Sequence, residues 1–137
     1  MFDWLQKQAP KILGITRILF GTMMALHGAQ KVFLLFGGLP PGVPPFIRWG
    51  AGLIELVGGA LVAVGLFTRP VAFVMSGLMA FAYFMGHASR GFLPTLNEGE
   101  LAVIYCWFAL YLAAAGPGAW AIDDIRRSPG TAAAPIH

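Results

Sequence analysis

Four long, mostly apolar runs, residues 12–36, 49–67, 71–87 and 101–115, constrain this chain more than anything else in it. A membrane-spanning helix needs about 20 predominantly apolar residues. The first two runs meet that requirement outright, and the last two meet it by extending a turn into their flanks. The remaining residues cannot offset so much apolar surface, because the 137-residue chain is 58% hydrophobic and only 11% charged. Soluble domains carry about 25% charged residues, so these few charges cannot coat a water-soluble globule. Disorder is excluded by the same figures, and a disulfide scaffold by the single cysteine. The runs also lack the apolar–polar alternation of a membrane β-barrel. The expected fold is therefore all-α and integral to the membrane, a four-helix transmembrane bundle.

The dividers between runs read as breakers. Residues 37–45 hold four prolines and three glycines, which oppose helix and favour turns. Thr68-Arg69-Pro70 is a tight turn, with Pro70 suited to a first helical turn. Residues 90–99 form a polar loop containing Gly91, Pro94 and Asn97, and Gly116-Pro117-Gly118 stops the fourth run. Residues 1–11 are expected to be a cytoplasmic, interfacial segment, 12–123 the helical domain, and 124–137 a disordered cytoplasmic tail. Lys and Arg near span ends set orientation. Lys7, Lys11, Arg17, Arg69, Arg126 and Arg127 lie on one side, against Lys31, Arg48 and Arg90 on the other. Six against three puts both termini of a multi-pass membrane protein in the cytoplasm. The first run is too long for a cleavable signal peptide, contains Arg17 and lacks a small-x-small site. Nucleic acid is not an expected partner, since the net charge is only +3 and no basic run exceeds Arg126-Arg127.

A charge at mid-span costs roughly 2.5–3.5 kcal/mol, so ionisable residues inside the runs are the informative ones. His27, Gln30 and Lys31 are spaced i, i+3, i+4 and share one helix face. Glu55 lies inside the second run, with Gly58 and Gly59 at the same spacing. Tyr83 and His87 close the third run, and Glu98 and Glu100 open the fourth. Each of the four helices thus supplies a titratable group to the outer third of the bilayer. A Lys31–Glu55 pair would offset much of the burial cost of both. Plainer readings stand beside this one: Lys31 snorkelling to headgroups, His87 as a solvated cap, Arg48, Arg69 and Arg90 as interfacial charges, and Cys106 as an inert apolar residue.

Several segments resemble the DoxX family of membrane proteins. His27-Gly28-Ala29-Gln30-Lys31-Val32-Phe33 is similar to the H-G-x-Q-K-x-F segment that closes that family's first helix. Gly52-Leu53-Ile54-Glu55-Leu56-Val57-Gly58-Gly59, Gly65-Leu66-Phe67-Thr68-Arg69, His87 with Gly91-Phe92, Asn97-Glu98-Gly99-Glu100, and Gly116-Pro117-Gly118-Ala119-Trp120 with Asp123 follow in order. The resemblance spans about residues 12–126. It implies a compact four-helix membrane bundle, and membership of a family whose name comes from a small subunit of a membrane thiosulfate:quinone oxidoreductase. Other members are linked to accessory roles in oxidative-stress or thiol-redox assemblies.

Three functions compete for the polar cluster. In the first, the chain is a redox subunit that binds quinone near the outer surface. His27, Lys31 and Glu55 are then the catalytic candidates, with Glu55 relaying a proton. Gln30, Tyr83, His87 and Trp107 are the ligand-binding candidates, and Phe33, Phe81 and Phe84 further walls. The chain carries no flavin, iron–sulfur or haem motif, so electrons would come from a protein partner; the alternative association is a homo-oligomer. In the second, a non-catalytic accessory or assembly protein uses the cluster only to lock its bundle. In the third, His27 and His87 hold a haem, or with Glu55 a two-histidine, one-carboxylate metal site.

Overall fold

The computed structural model describes residues 2–126 and is all-helical, with no strand among them. A short exposed helix α1 (Asp3–Gln6) precedes α2 (Ala9–Phe33), which carries Pro10 in its first turn. There the missing N–H of proline is not needed. Leu34 in the left-handed region ends α2, three residues before the apolar run itself ends. The proline-rich loop leads into a π-helical turn, Phe46–Ala51, that continues without a break as α3 (Gly52–Val64). Gly65, at φ +73, turns the chain into α4 (Thr68–Gly86). A 3₁₀ turn, Ala88–Arg90, and the short α5 (Pro94–Asn97) lead to α6 (Glu100–Ala115), and α7 (Ile122–Arg126) follows. Residues 127–137, most of the expected disordered tail, lie outside the described residues.

Among the described residues three helical stretches are long and apolar enough to cross a membrane: Ala9–Phe33, Phe46–Val64 and Thr68–Arg90. The fourth apolar helix, Glu100–Ala115, has 16 residues. Large apolar side chains such as Leu19, Val57, Phe73, Phe84, Ile104 and Trp107 face outward. These outward faces contact the bilayer, and the chain is a multi-pass membrane protein.

The helices run alternately up and down, and their closest backbone approaches pair α2 with α3 and α4 with α6. Glycine sets the first pairing. A Cβ on Gly28 would lie 2.2 Å from the Leu56 nitrogen, and one on Gly59 would lie 2.4 Å from that of Ala25. Helix backbones in lipid associate by such close packing, for which small residues clear the way. Gly58, next in sequence, faces Met75 of α4 instead. Ser76 on α4 donates to the Cys106 carbonyl of α6 at 2.9 Å. Between the two pairs lies a core of Phe20, Met24, Val62, Ala72, Met75, Met79, Tyr105, Ala109 and Leu112.

Charges meeting backbone groups fasten the lower end, where α3 turns into α4. Arg17, expected at the cytoplasmic edge, is fully buried. Its guanidinium donates to the carbonyls of Pro117, Ala119 and Trp120. Arg69 donates to the carbonyls of Ala113, Ala114 and Ala115, the orphan acceptors at the end of α6. The Asp123 carboxylate accepts from the Phe67 and Thr68 N–H groups at 2.8 and 2.9 Å, capping α4 from across the chain.

Candidate functional site

At the upper end the two helix pairs line an open cavity of about 240 Å³, walled on the α2 and α3 side by Met24, His27, Lys31 and Glu55 and opposite by Met79, Ala82, Leu101, Ala102 and Tyr105, with His87 and Glu98. The helical period explains the set. Positions 24, 27 and 31 share one stripe of α2, and positions 101, 102 and 105 share one stripe of α6.

Lys31 Nζ donates to Glu55 Oε2 in an ion pair. The Glu55 side chain is 5% exposed and that of Lys31 18%, so lysine pairs across the α2–α3 contact rather than snorkelling. Gly52 makes the approach possible, since its hydrogen faces the Lys31 Cβ where a side chain would stand 3.0 Å away. Two charges taken out of water need each other, because an uncompensated one costs several kcal/mol.

His87 is held at the top of α4. Its Nδ1 lies 3.0 Å from the Asn97 carbonyl and 3.1 Å from Arg90 Nη2. These contacts demand opposite roles of one atom: donating to Asn97 requires a proton on Nδ1, and accepting from Arg90 requires a lone pair. Tyr83 stacks on His87 at 6.4 Å between ring centroids. The Tyr83 hydroxyl donates to the Phe92 carbonyl. Asn97, 1% exposed, ties the loop together. Its Nδ2 donates to the Gly91 carbonyl at 2.6 Å and to the Tyr83 oxygen at 3.3 Å, and its Oδ1 accepts from Gly99 N–H at 2.8 Å. At the mouth, Glu98 accepts from Arg90 at 3.1 Å in an exposed pair.

The expected site residues are thus divided. His27, Lys31, Glu55 and His87 come together on one cavity. Gln30 lies beside it and donates to the Gly38 carbonyl at 3.1 Å, holding the loop after α2. Tyr83 and Trp107 lie on the other face of the α4–α6 pair, in an apolar groove with Phe84, Phe92, Pro94 and Cys106. Phe33 and Phe81 line neither. Tyr105 and Asn97 were given no role by the sequence. Tyr105 had a signal, since 98, 101, 102 and 105 follow the i, i+3, i+4, i+7 pattern of one helix face. Asn97 had a weaker one, an asparagine beside Gly99 in a loop. Among the described residues no group of three or more His, Cys, Asp or Glu is placed to hold a metal ion.

The DoxX family model matches residues 12–88. An "Uncharacterized protein" of Haemophilus influenzae is 43% identical over 129 residues, covering 88% of this chain and 94% of that protein. A Bacillus subtilis protein named "Putative oxidoreductase CatD" is 32% identical over 103 residues, covering 65% of this chain and 75% of that one. No solved structure matches.

Proposed function

The chain belongs to the DoxX family, and from that premise we propose that it is a small membrane subunit of a quinone-linked redox system, with the quinone head in the His27–Lys31–Glu55–His87 cavity. The observation that carries this reading is the convergence of donors from both helix pairs on one cavity, whose other walls are Met24, Met79, Ala82, Leu101, Ala102 and Tyr105 with Glu98 at the mouth. A quinone presents two carbonyl acceptors across a flat apolar ring, which asks for a donor at each end and apolar walls between. His27 and Lys31 come from one helix pair and His87 from the other, so they can meet opposite carbonyls. Glu55, held by Lys31, is positioned to carry a proton to or from the bound ring. Bound quinone would supply the capacity to take up two electrons and two protons; the electrons come from a partner subunit. The name of the Bacillus relative, an oxidoreductase, supports the same class.

In this reading α6 is the fourth span. Its 16 residues rise about 24 Å, short of the roughly 30 Å hydrocarbon core, and the exposed Phe92, Leu93 and Leu96 before it extend the apolar surface upward. The lysine and arginine imbalance puts the lower end and both termini in the cytoplasm of the bacterial inner membrane, and the cavity near the outer leaflet.

The test is purification in mild detergent, followed by extraction and mass spectrometry of bound quinone. A stoichiometric quinone that is lost in folded His27→Ala and Glu55→Gln variants supports the proposal. No quinone bound or taken up by the folded wild type rejects it. One observation favours a second reading, an accessory protein locked by its polar cluster: the Lys31–Glu55 pair already satisfies both charges within the bundle. That reading gains if the variants lose stability while the host keeps its quinone-dependent respiration.

A further inference from the structure

We infer that the site is built for an amphiphile entering sideways from the bilayer, its ring-sized head in the Lys31–Glu55 cavity and its apolar tail along a neighbouring groove, with His27 shared by both. The inference rests on the reading of the cavity as a quinone site and adds where the rest of the molecule lies. At about 240 Å³ the cavity is smaller than the roughly 300–1,000 Å³ of sites that enclose a whole ligand. It holds a head alone, so any chain on that head must leave it.

One exit is next to it. A groove of about 280 Å³ is lined by Met23, Leu26, His27, Gln30 and Phe36. On α2, Met23, Gln30 and Leu26 fall about 40–100° to one side of His27, and Lys31 and Met24 about 40–60° to the other. His27 therefore forms the ridge between apolar groove and polar cavity. The polar group of the groove is withdrawn, since Gln30 is committed to the Gly38 carbonyl, and that bond steadies the loop that presents Phe36. Leu26 and Phe36 are 49% and 70% exposed on a face that meets lipid, so the groove opens to acyl chains rather than to water.

The seam between the helix pairs is where such an opening belongs. α2 and α6 meet through the edge contacts of Phe20 with Tyr105 and Phe108, and through the Tyr105 hydroxyl on the Met23 sulfur at 3.6 Å. Above them α6 offers the small Ala102 to the cavity.

The experiment compares a decyl-substituted dimethoxy-methyl-benzoquinone with the same ring lacking the chain. Binding is measured by calorimetry on the full chain in nanodiscs of one lipid composition. Leu26→Trp fills the groove from an outward-facing position, Phe36→Ala removes its wall, and Ile104→Trp is a lipid-facing control outside both spaces. Each buried methylene strengthens binding several-fold, so both groove variants are expected to weaken the decyl compound about tenfold. The tail-less ring should change by less than about twofold, and the control should change neither. Equal losses for both compounds, or none for either, overturn the inference. Wild type that binds both rings equally tightly overturns the tail groove alone, whereas wild type that binds neither overturns the quinone reading as well.

Discussion

Lys31 and Glu55 form their ion pair across the helix contact that Gly28 and Gly52 bring together. The pairing and the packing are therefore one structural unit. Removing one charge strands the other in a largely dry site, whereas removing both leaves a neutral contact. Lys31→Met or Glu55→Gln alone is expected to destabilise the folded protein by about 1–3 kcal/mol, and the double variant by less than the sum. Thermal unfolding in detergent measures the cycle; additive losses would mean that the pair is not coupled.

The α2–α3 contact makes a sharper demand at single positions. A methyl at Gly28 or Gly59 would meet neighbouring backbone at 2.2 or 2.4 Å, and backbone cannot swing aside as a flexible side chain can. Gly28→Ala and Gly59→Ala should each cost about 3 kcal/mol or more by forcing the helices apart. At Gly77 nothing lies within 4 Å of an added Cβ, so Gly77→Ala should be neutral or stabilise by up to about 1 kcal/mol. Denaturation of the three variants side by side separates crowding from helix propensity.

Arg17 joins α2 to the segment after α6 by three donations to main-chain oxygens. Lysine has one ammonium and cannot reproduce the guanidinium fork. Arg17→Lys is expected to cost about 2 kcal/mol, with faster amide exchange in residues 116–121 while the upper halves of α2 and α3 keep their protection. Hydrogen-exchange mass spectrometry reads both.

Asp123 ties acid stability to the start of α4. Partial burial works against its charge, but the N–H groups of Thr68 and Phe67, with Arg126 nearby, outweigh burial and hold the carboxyl below its ordinary value. A carboxyl lowered on folding contributes stability that is complete above its unfolded value near 3.9 and disappears as pH falls through the lower folded value. Stability from this group should therefore be flat from neutral pH to about 5 and fall below about 4. Asp123→Asn should remove that part of the acid dependence and cost about 1 kcal/mol at neutral pH. Unfolding curves recorded between acid and neutral pH provide the check.

Depth and spacing along the chain placed His27, Lys31 and Glu55 together, because helix period and bilayer thickness turn residue numbers into heights and faces. Those rules do not say which face of a mostly apolar helix looks inward. Trp107 is two positions from Tyr105, about 200° around α6, so one reaches the cavity and the other lipid. Tyr83 lies only about 40° from Met79 and 100° from Ala82 around α4 and is buried, so packing rather than helix period decides that it lines the neighbouring groove and not the cavity. The burial of Arg17 was hidden for another reason. Its partners are carbonyls, which every residue possesses, so no side chain at 117–120 marks them. The same holds for Arg69, expected as an interfacial charge and found capping α6.

The clasp between Arg17 and the segment after α6 bears on how the protein is made. The Pro117 carbonyl that receives its guanidinium lies 100 residues later in the chain, and Ala119 N–H reaches back to the Pro10 carbonyl. During synthesis α2 enters the membrane with its arginine uncompensated, and no intermediate segment supplies what residues 117–120 supply. The helix that carries Arg17 is thus completed by residues about a hundred positions further along the chain, and a chain interrupted before them leaves that guanidinium without its acceptors.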